Sequence, residues 1–442
     1  MRDMMTRREF LTKGLTIVSA GVTAPMFLTR TALALNNPWD QSLTAQASGR
    51  PDWPTLVVIQ MGGGNDGLNT VVPFVHDEYY RARPHLAVPQ DKILRLNDEV
   101  GFNPVLKPLK ALFDDGRLAV VQGVGYPNPN RSHFRSMEIW QTADPVGTGP
   151  KTGWLGRLFD SECPDCGQTA GITLSPEMPL AMQGTAGRVV AFDSPDRFGF
   201  HPVQGGGADE QAALQRLLHP VAGEEPMVDF LTHTEMNALL AASDIHRIAG
   251  KLASDAGTGY PRDPFSQKLR IVAELIAAGA PTRVYYVSLG GFDTHAAQEG
   301  RQDRLLETLG AGLASFVNDI KQKGLQDRVL TMTFSEFGRR VAENASAGTD
   351  HGTAAPMFLI GGPVTPGVHG AQPSLTDLDI GDLKFGTDFR SVYATVLEQW
   401  MGVKSDPILG GRFPILDIVK PHVGAVAPVS SLRRPGARLR GA

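Results

Sequence analysis

Five acidic or imidazole side chains crowd one stretch of the chain. Asp293 and His295 stand in GGFDTH, Glu336 in FSEFGRR, and Asp350 with His351 in TDHGTAAP. Carboxylates and imidazoles without thiolates suit zinc, manganese, magnesium or calcium. Each group adjoins an apolar run of strand character, over residues 284–289, 329–334 and 356–360. Open α/β sheets bind ligands at the carboxyl ends of their strands. The three loops are therefore expected to share one site, with Asp293 and His295 both facing it if their loop curves. The local alternative is that Asp293 and Asp350 cap turns or helices and the histidines are satisfied nearby.

The elements that must position these groups follow from periodicity. TLVVIQ, at 55–60, is a continuous apolar run and predicts a buried strand of a parallel-type sheet. It leads into MGGGNDGLNT, where glycines permit close ligand approach. Asp66 in that loop reads as a turn aspartate or as a site carboxylate. A second buried strand, 118–124, leads through a Pro/Asn loop to RSHFRSMEIW. Ser132 is placed to open a helix there, and helix N-termini attract anions. It has two readings: a structural cap, or a nucleophile with Arg131, His133 and Arg135 beside it. Apolar residues at helical spacing predict helices over 105–114, 265–278, 302–323 and 388–400. Strand–helix alternation from 265 to 363 predicts an α/β fold, a mostly parallel central sheet flanked by helices. The segment of about 146–262, first Gly- and Pro-rich and then helical, is expected to be an insertion or cap.

The N-terminus carries an address rather than fold. Thr6-Arg7-Arg8-Glu9-Phe10-Leu11-Thr12-Lys13 is a twin-arginine export signature, followed by an apolar stretch and by Ala32-Leu33-Ala34, which fits a cleavage site. Residues 1–34 are read as a signal peptide, 35–426 as one α/β domain and the Arg-bearing 427–442 as a disordered tail. The apolar stretch is too short for a membrane span. A formal charge of −4 over 442 residues points away from nucleic acid. The two cysteines, Cys163 and Cys166, lack the second pair of a four-cysteine zinc site. Their Gly-bearing polar setting argues against a redox motif. In an oxidising compartment they are expected to form a short disulfide.

Taken together and in order, the export signal, GGGNDGLNTVVP, RSHFRSMEIWQTA, GGFDTH, FSEFGRR, TDHGTAAPMFLIGG and DFRSVYATVLEQW resemble domain-of-unknown-function family 1501 over nearly the whole exported chain. That family in turn resembles the alkaline phosphatase and sulfatase superfamily. The resemblance implies an alkaline phosphatase-like fold. It also implies metal ligands at Asp66, Asp293, His295, Glu336 and His351, and Ser132 in the nucleophile's place. Two departures stand out: a Gly-rich loop separates Asp66 from the first strand, and Ser335-Glu336 replaces the superfamily's Asp-His pair.

The combined expectation is an exported hydrolase of phosphate or sulfate esters that uses a divalent metal. Its ligands are Asp66, Asp293, His295, Glu336, Asp350 and His351. Catalysis is assigned to Ser132, His133 and Arg135, and substrate contacts to Asn65, Asn69, Arg131 and Arg339. Its partners are a small-molecule or glycan ester and the twin-arginine machinery, and its location is periplasmic or extracellular. The alternative is a non-catalytic, phosphatase-like binding or assembly protein for a surface glycan or a protein partner.

Overall fold

The computed structural model describes residues 53–162, 170–185, 189–193, 259–280 and 282–422. The export segment, both cysteines, most of the expected cap and the C-terminal tail lie outside them.

Strand β1 (Thr55–Gly62) is followed by the short helix α1 (Gly67–Thr70), α2 (Lys107–Asp114), β2 (Leu118–Gly125), α3 (His133–Thr142) and α4 (Trp154–Glu162). Next come β3 (Gly171–Thr173), β4 (Val189–Ala191), α5 (Pro264–Ala277), β5 (Val284–Gly290) and the long α6 (Gln298–Gln322). The chain continues through β6 (Val329–Phe334), β7 (Ala355–Gly361), β8 (Gly367–His369), β9 (Thr387–Asp388) and α7 (Phe389–Thr395). One mixed sheet has the order β8-β2-β7-β6-β1-β5-β3-β4, with β9 also pairing β2. Strands β3 and β4, from within the stretch expected to be an insertion, extend the sheet beyond β5.

Alternation along each strand sorts side chains to two faces. In β1, Leu56 and Val58 enter one buried cluster, while Val57, Ile59 and Met61 enter the other. Helices α3, α4 and α7 cover the first face with Ile139, Trp140, Trp154, Phe159, Val392 and Tyr393. Helices α2, α5 and α6 cover the second. Leu306, Leu309, Leu313, Phe316 and Ile320 recur along the buried stripe of α6. Each such side chain contributes about 1.5–3 kcal/mol on burial. Helix α6 starts at Gln298, four residues before the expected 302, because its opening turns bury glutamines, Gln298 and Gln302, that an apolar pattern does not register.

Strands β5 and β6 run parallel to β1 on either side of it, so all three carboxyl ends meet one rim. Strand β7 is antiparallel to both β6 and β2. Asp350 and His351 lie at the far end of the 335–354 connection, which leaves β6 and runs directly into β7. The reversal therefore delivers its end to the rim where the other loops emerge.

Candidate metal centre

Asp293 follows β5, and its Oδ1 is the point on which three imidazoles converge. His295 Nε2 stands 3.0 Å away, His351 Nε2 3.2 Å and His133 Nε2 3.5 Å. His295 Nε2 and His351 Nε2 are 2.8 Å apart. His133, Asp293 and His351 each offer one ligand atom, all within 4.8 Å of one another, and His295 touches two of these three residues. Four donors at metal–ligand distances near 2.1 Å in a tetrahedron lie about 3.4 Å from one another. The three spacings to Asp293 Oδ1 and the His295–His351 spacing are of that order.

The opposite edge of each ring explains why the Nε2 atoms face inward. His133 Nδ1 meets Glu336 Oε1 at 2.9 Å, His351 Nδ1 meets the Arg131 carbonyl at 2.8 Å, and His295 Nδ1 meets Asp350 Oδ1 at 3.4 Å. An oxygen acceptor holds the proton on Nδ1 and leaves the Nε2 lone pair free, as metal-binding imidazoles require. His133 Nε2 is accordingly buried with no hydrogen bond. With these tautomers two lone pairs face each other across the His295–His351 gap. That contact is repulsive until a proton or cation lies between them. The buried orphan atom, the oriented rings and the carboxylate together fit a divalent metal.

Arg339, 1% exposed, braces the site from below. Its guanidinium donates to the carbonyls of Gly63, Gly64, Phe292 and Thr349, and to Asp293 Oδ1 at 2.8 Å. Burial would raise the Asp293 carboxyl, but hydrogen bonds from Arg339 and, when its Nε2 carries a proton, from His351, together with the nearby positive charge, bring it down to about 2. Burial pushes His351 the other way from a free imidazolium, lowering its pKa, and Arg339 and His133 add to that against the Asp293 and Arg131 acceptors. The Phe337 ring covers the cluster, 4.9 Å from the His133 ring centroid and 4.5 Å from that of His351.

The Gly-rich loop after β1 is scaffold. Gly63 and Gly64 have positive φ, and a Cβ there would collide with the Phe292–Asp293 backbone or with Phe337. The Gly63 amide donates to Glu336 Oε1 at 2.7 Å. The two ends of the 335–354 connection are clipped together: Gly338 N–H bonds the Thr353 carbonyl, Gly352 N–H the Gly338 carbonyl, and Arg340 N–H the Asp350 carbonyl.

Several expected roles change on this geometry. Asp66 is fully buried and engaged elsewhere. It caps α1 through Asn69 N, pairs with Arg83 at 2.6 Å and accepts from Gln298. It does not join the cluster. Glu336 faces the Nδ1 side of His133, not the Nε2 side that looks toward Asp293. Asp350 holds the same relation to His295, at a longer distance. Asn65 is buried and accepts from Thr70 and Gln302, and Asn69 bonds the Leu86 carbonyl while accepting from Tyr79 and Arg83. Neither presents its amide to a substrate. Arg131 pairs with the buried Asp382, and Arg135 with Glu138 and the Pro145 carbonyl. Arg339 is enclosed. The arginines expected to hold an anion are thus engaged within the protein. Ser132 is the N-cap of α3 by backbone, its side chain makes no cap hydrogen bond, and it is exposed between two residues that touch the cluster. His133, expected to act as acid or base, stands with Asp293 and His351 in a group that could hold a metal ion. Its position in the first turn after the β2 loop was the available signal.

No curated protein matches the sequence. Solved structures with a similar chain path include a protein in the alkaline phosphatase superfamily from Vibrio parahaemolyticus. It is 10% identical, 83% of this chain and 71% of that chain are covered, and the TM-score is 0.38. The lipoteichoic acid synthase LtaP from Listeria monocytogenes is 11% identical, with 83% and 76% covered and a TM-score of 0.39. The PsFucS1 sulfatase from Pseudoalteromonas sp. is 11% identical, with 90% and 76% covered and a TM-score of 0.35. The family described as a protein of unknown function, DUF1501, matches residues 119–410, which span β2, the helix bearing His133 and every loop of the cluster, and the chain belongs to that family.

Proposed function

We propose that this protein is an exported, metal-dependent hydrolase of phosphate or sulfate esters. The observation that carries the reading is the convergence of three Nε2 atoms on Asp293 Oδ1, each ring held by an oxygen on its far edge. A divalent ion, when bound, supplies Lewis acidity and neutralises charge on a transferred group. Asp293 and the three histidines would hold it. Arg339 and Glu336 keep the donors in place. Ser132 offers an uncommitted hydroxyl at the start of α3, where the first helical amides favour negative charge, and is the nucleophile of this reading. Phe337 excludes water from one side of the imidazoles.

Elemental analysis of protein purified without chelator, followed by a chromogenic phosphate and sulfate ester panel, tests the proposal. Metal content and turnover are expected together, and Asp293→Ala and His351→Ala should each lower metal affinity by about 100-fold or more. Either variant keeping full metal and activity removes the residue from the site and the reading with it. Export rests on the Arg7-Arg8 motif, and among the described residues no helix is long and apolar enough to cross a membrane. Fractionation of an Arg7→Lys, Arg8→Lys double variant should find it retained in the cytoplasm, and unchanged export would sink that part.

One observation favours a second reading. Arg131, Arg135 and Arg339 are all engaged internally, so none of them stands ready to neutralise a transferred anion. A non-catalytic protein that binds a surface glycan or a protein partner would not need one. Ligand binding by protein that shows neither metal nor turnover would support it.

A further inference from the structure

A cavity of about 310 Å³ lies beside the cluster and shares a wall with it. Phe337 is that wall, since its ring also packs on His133 and His351. Tyr126, Pro129, Leu383 and Phe385 complete an apolar lining. The edge is different. Asn128, Asp379 and Lys384 are exposed there. The side chains of Asn128 and Asp379 make no hydrogen bond or ion pair among the described residues, and Lys384 pairs with Asp377 while keeping further donor capacity. The volume is at the lower limit for ligand pockets and suits one ring rather than a chain.

This pattern selects a ligand chemistry. An aromatic ring or an acyl group would satisfy the lining but leave amide, carboxylate and ammonium at the edge unused. A second anion would meet the Asp379 carboxylate. A pyranose ring presents an apolar face to aromatic side chains and hydroxyls, both donor and acceptor, to the edge. We infer that the cavity is a subsite for a carbohydrate ring, the part of the substrate that carries the ester. The inference rests on the hydrolase reading only in placing the ester end at the Asp293 cluster. The ring's own contacts stand on the cavity alone.

Saturation-transfer NMR on the metal-loaded full chain tests it, with a panel of neutral, amino and uronic methyl glycosides as probes and phenol and hexanol as controls. Glycoside signals are expected, and Phe385→Ala and Asn128→Ala should each weaken binding by about three- to tenfold. Both side chains are at the surface and neither touches the cluster, so loss of fold is not the expected consequence; circular dichroism on the same samples checks this. Silence of every glycoside, binding unaffected by both variants, or stronger binding of phenol or hexanol overturns the assignment. Turnover of nitrophenyl phosphate is read on the same sample. Turnover with silent glycosides removes the sugar subsite and leaves the hydrolase. Glycoside binding without metal or turnover removes the hydrolase and leaves the sugar subsite.

Discussion

Glu336→Gln isolates the orientation of one imidazole from everything else in the site. Glu336 is 2% exposed, and its Oε1 serves both the Gly63 amide, at 2.7 Å, and His133 Nδ1, at 2.9 Å. Its Oε2 receives Ser335 Oγ at 3.3 Å. Glutamine keeps the shape and an oxygen in the Oε1 position but removes the charge. A hydrogen bond to a charged group contributes about 1.5–3 kcal/mol, against about 0.5–1.5 kcal/mol for a neutral pair. The exchange should therefore cost roughly 1–1.5 kcal/mol, a weakening of metal affinity by about five- to thirteenfold. Glu336→Ala removes the acceptor altogether. Affinity should then fall by about 10- to 100-fold, and the Gly63 amide loses its partner at a stability cost of about 1 kcal/mol or more. Competition against a chromophoric zinc chelator at fixed pH reads the affinities, and thermal melts in parallel report the fold. The expected order is the unaltered chain, then Gln, then Ala, with Gln melting within about 3 °C of the unaltered chain. If both variants bind zinc as tightly as the unaltered protein, Glu336 does not set the His133 tautomer. The case for Nε2 as an inward-facing donor then fails.

Two other perturbations separate scaffold from site. Asp66→Ala leaves the fully buried Arg83 guanidinium without its counter-charge and should lower unfolding free energy by about 3–5 kcal/mol in urea titrations, while metal affinity of the folded protein stays within about threefold. A tenfold or greater loss of affinity in folded protein would return Asp66 to the ligand set. The metal-free protein should also lose stability on acidification. Burial, with Arg339 and His133, lowers the folded pKa of His351 below 6.5, so between 6.5 and that lower value the unfolded chain binds more protons than the folded one. Stability must then fall as pH falls through that window. The Asp293 contribution, present above its ordinary 3.8, disappears only as pH approaches about 2. Denaturant titrations at several pH values should show a shallower fall near pH 6 in His351→Gln; an identical slope in both proteins would refute the assignment.

Strands β1, β2 and β6 are continuous apolar runs bounded by loops, and such runs have few alternatives to burial in a covered sheet. The grouping of Asp293, His295 and His351 was likewise written in residue types beside strand ends. The roles of the individual polar groups were not. Whether a carboxylate faces a cation, an imidazole proton or an arginine depends on contacts between residues far apart in the chain. Glu336 meets Gly63 across 273 positions, Arg339 meets Gly64 across 275, and Asp66 meets Gln298 across 232. No local pattern encodes those distances. The direction of β7 was equally hidden, because an apolar run reads the same for a parallel as for an antiparallel strand. The chain by itself determined which segments are buried and what kind of polar atoms lie at their ends, since both follow from composition and period. Only the tertiary structure decided that β7 runs backwards, bringing His351 to the rim, and that Asp66 faces a buried guanidinium, because burial forces each polar group to find its partner wherever the packed chain has put one.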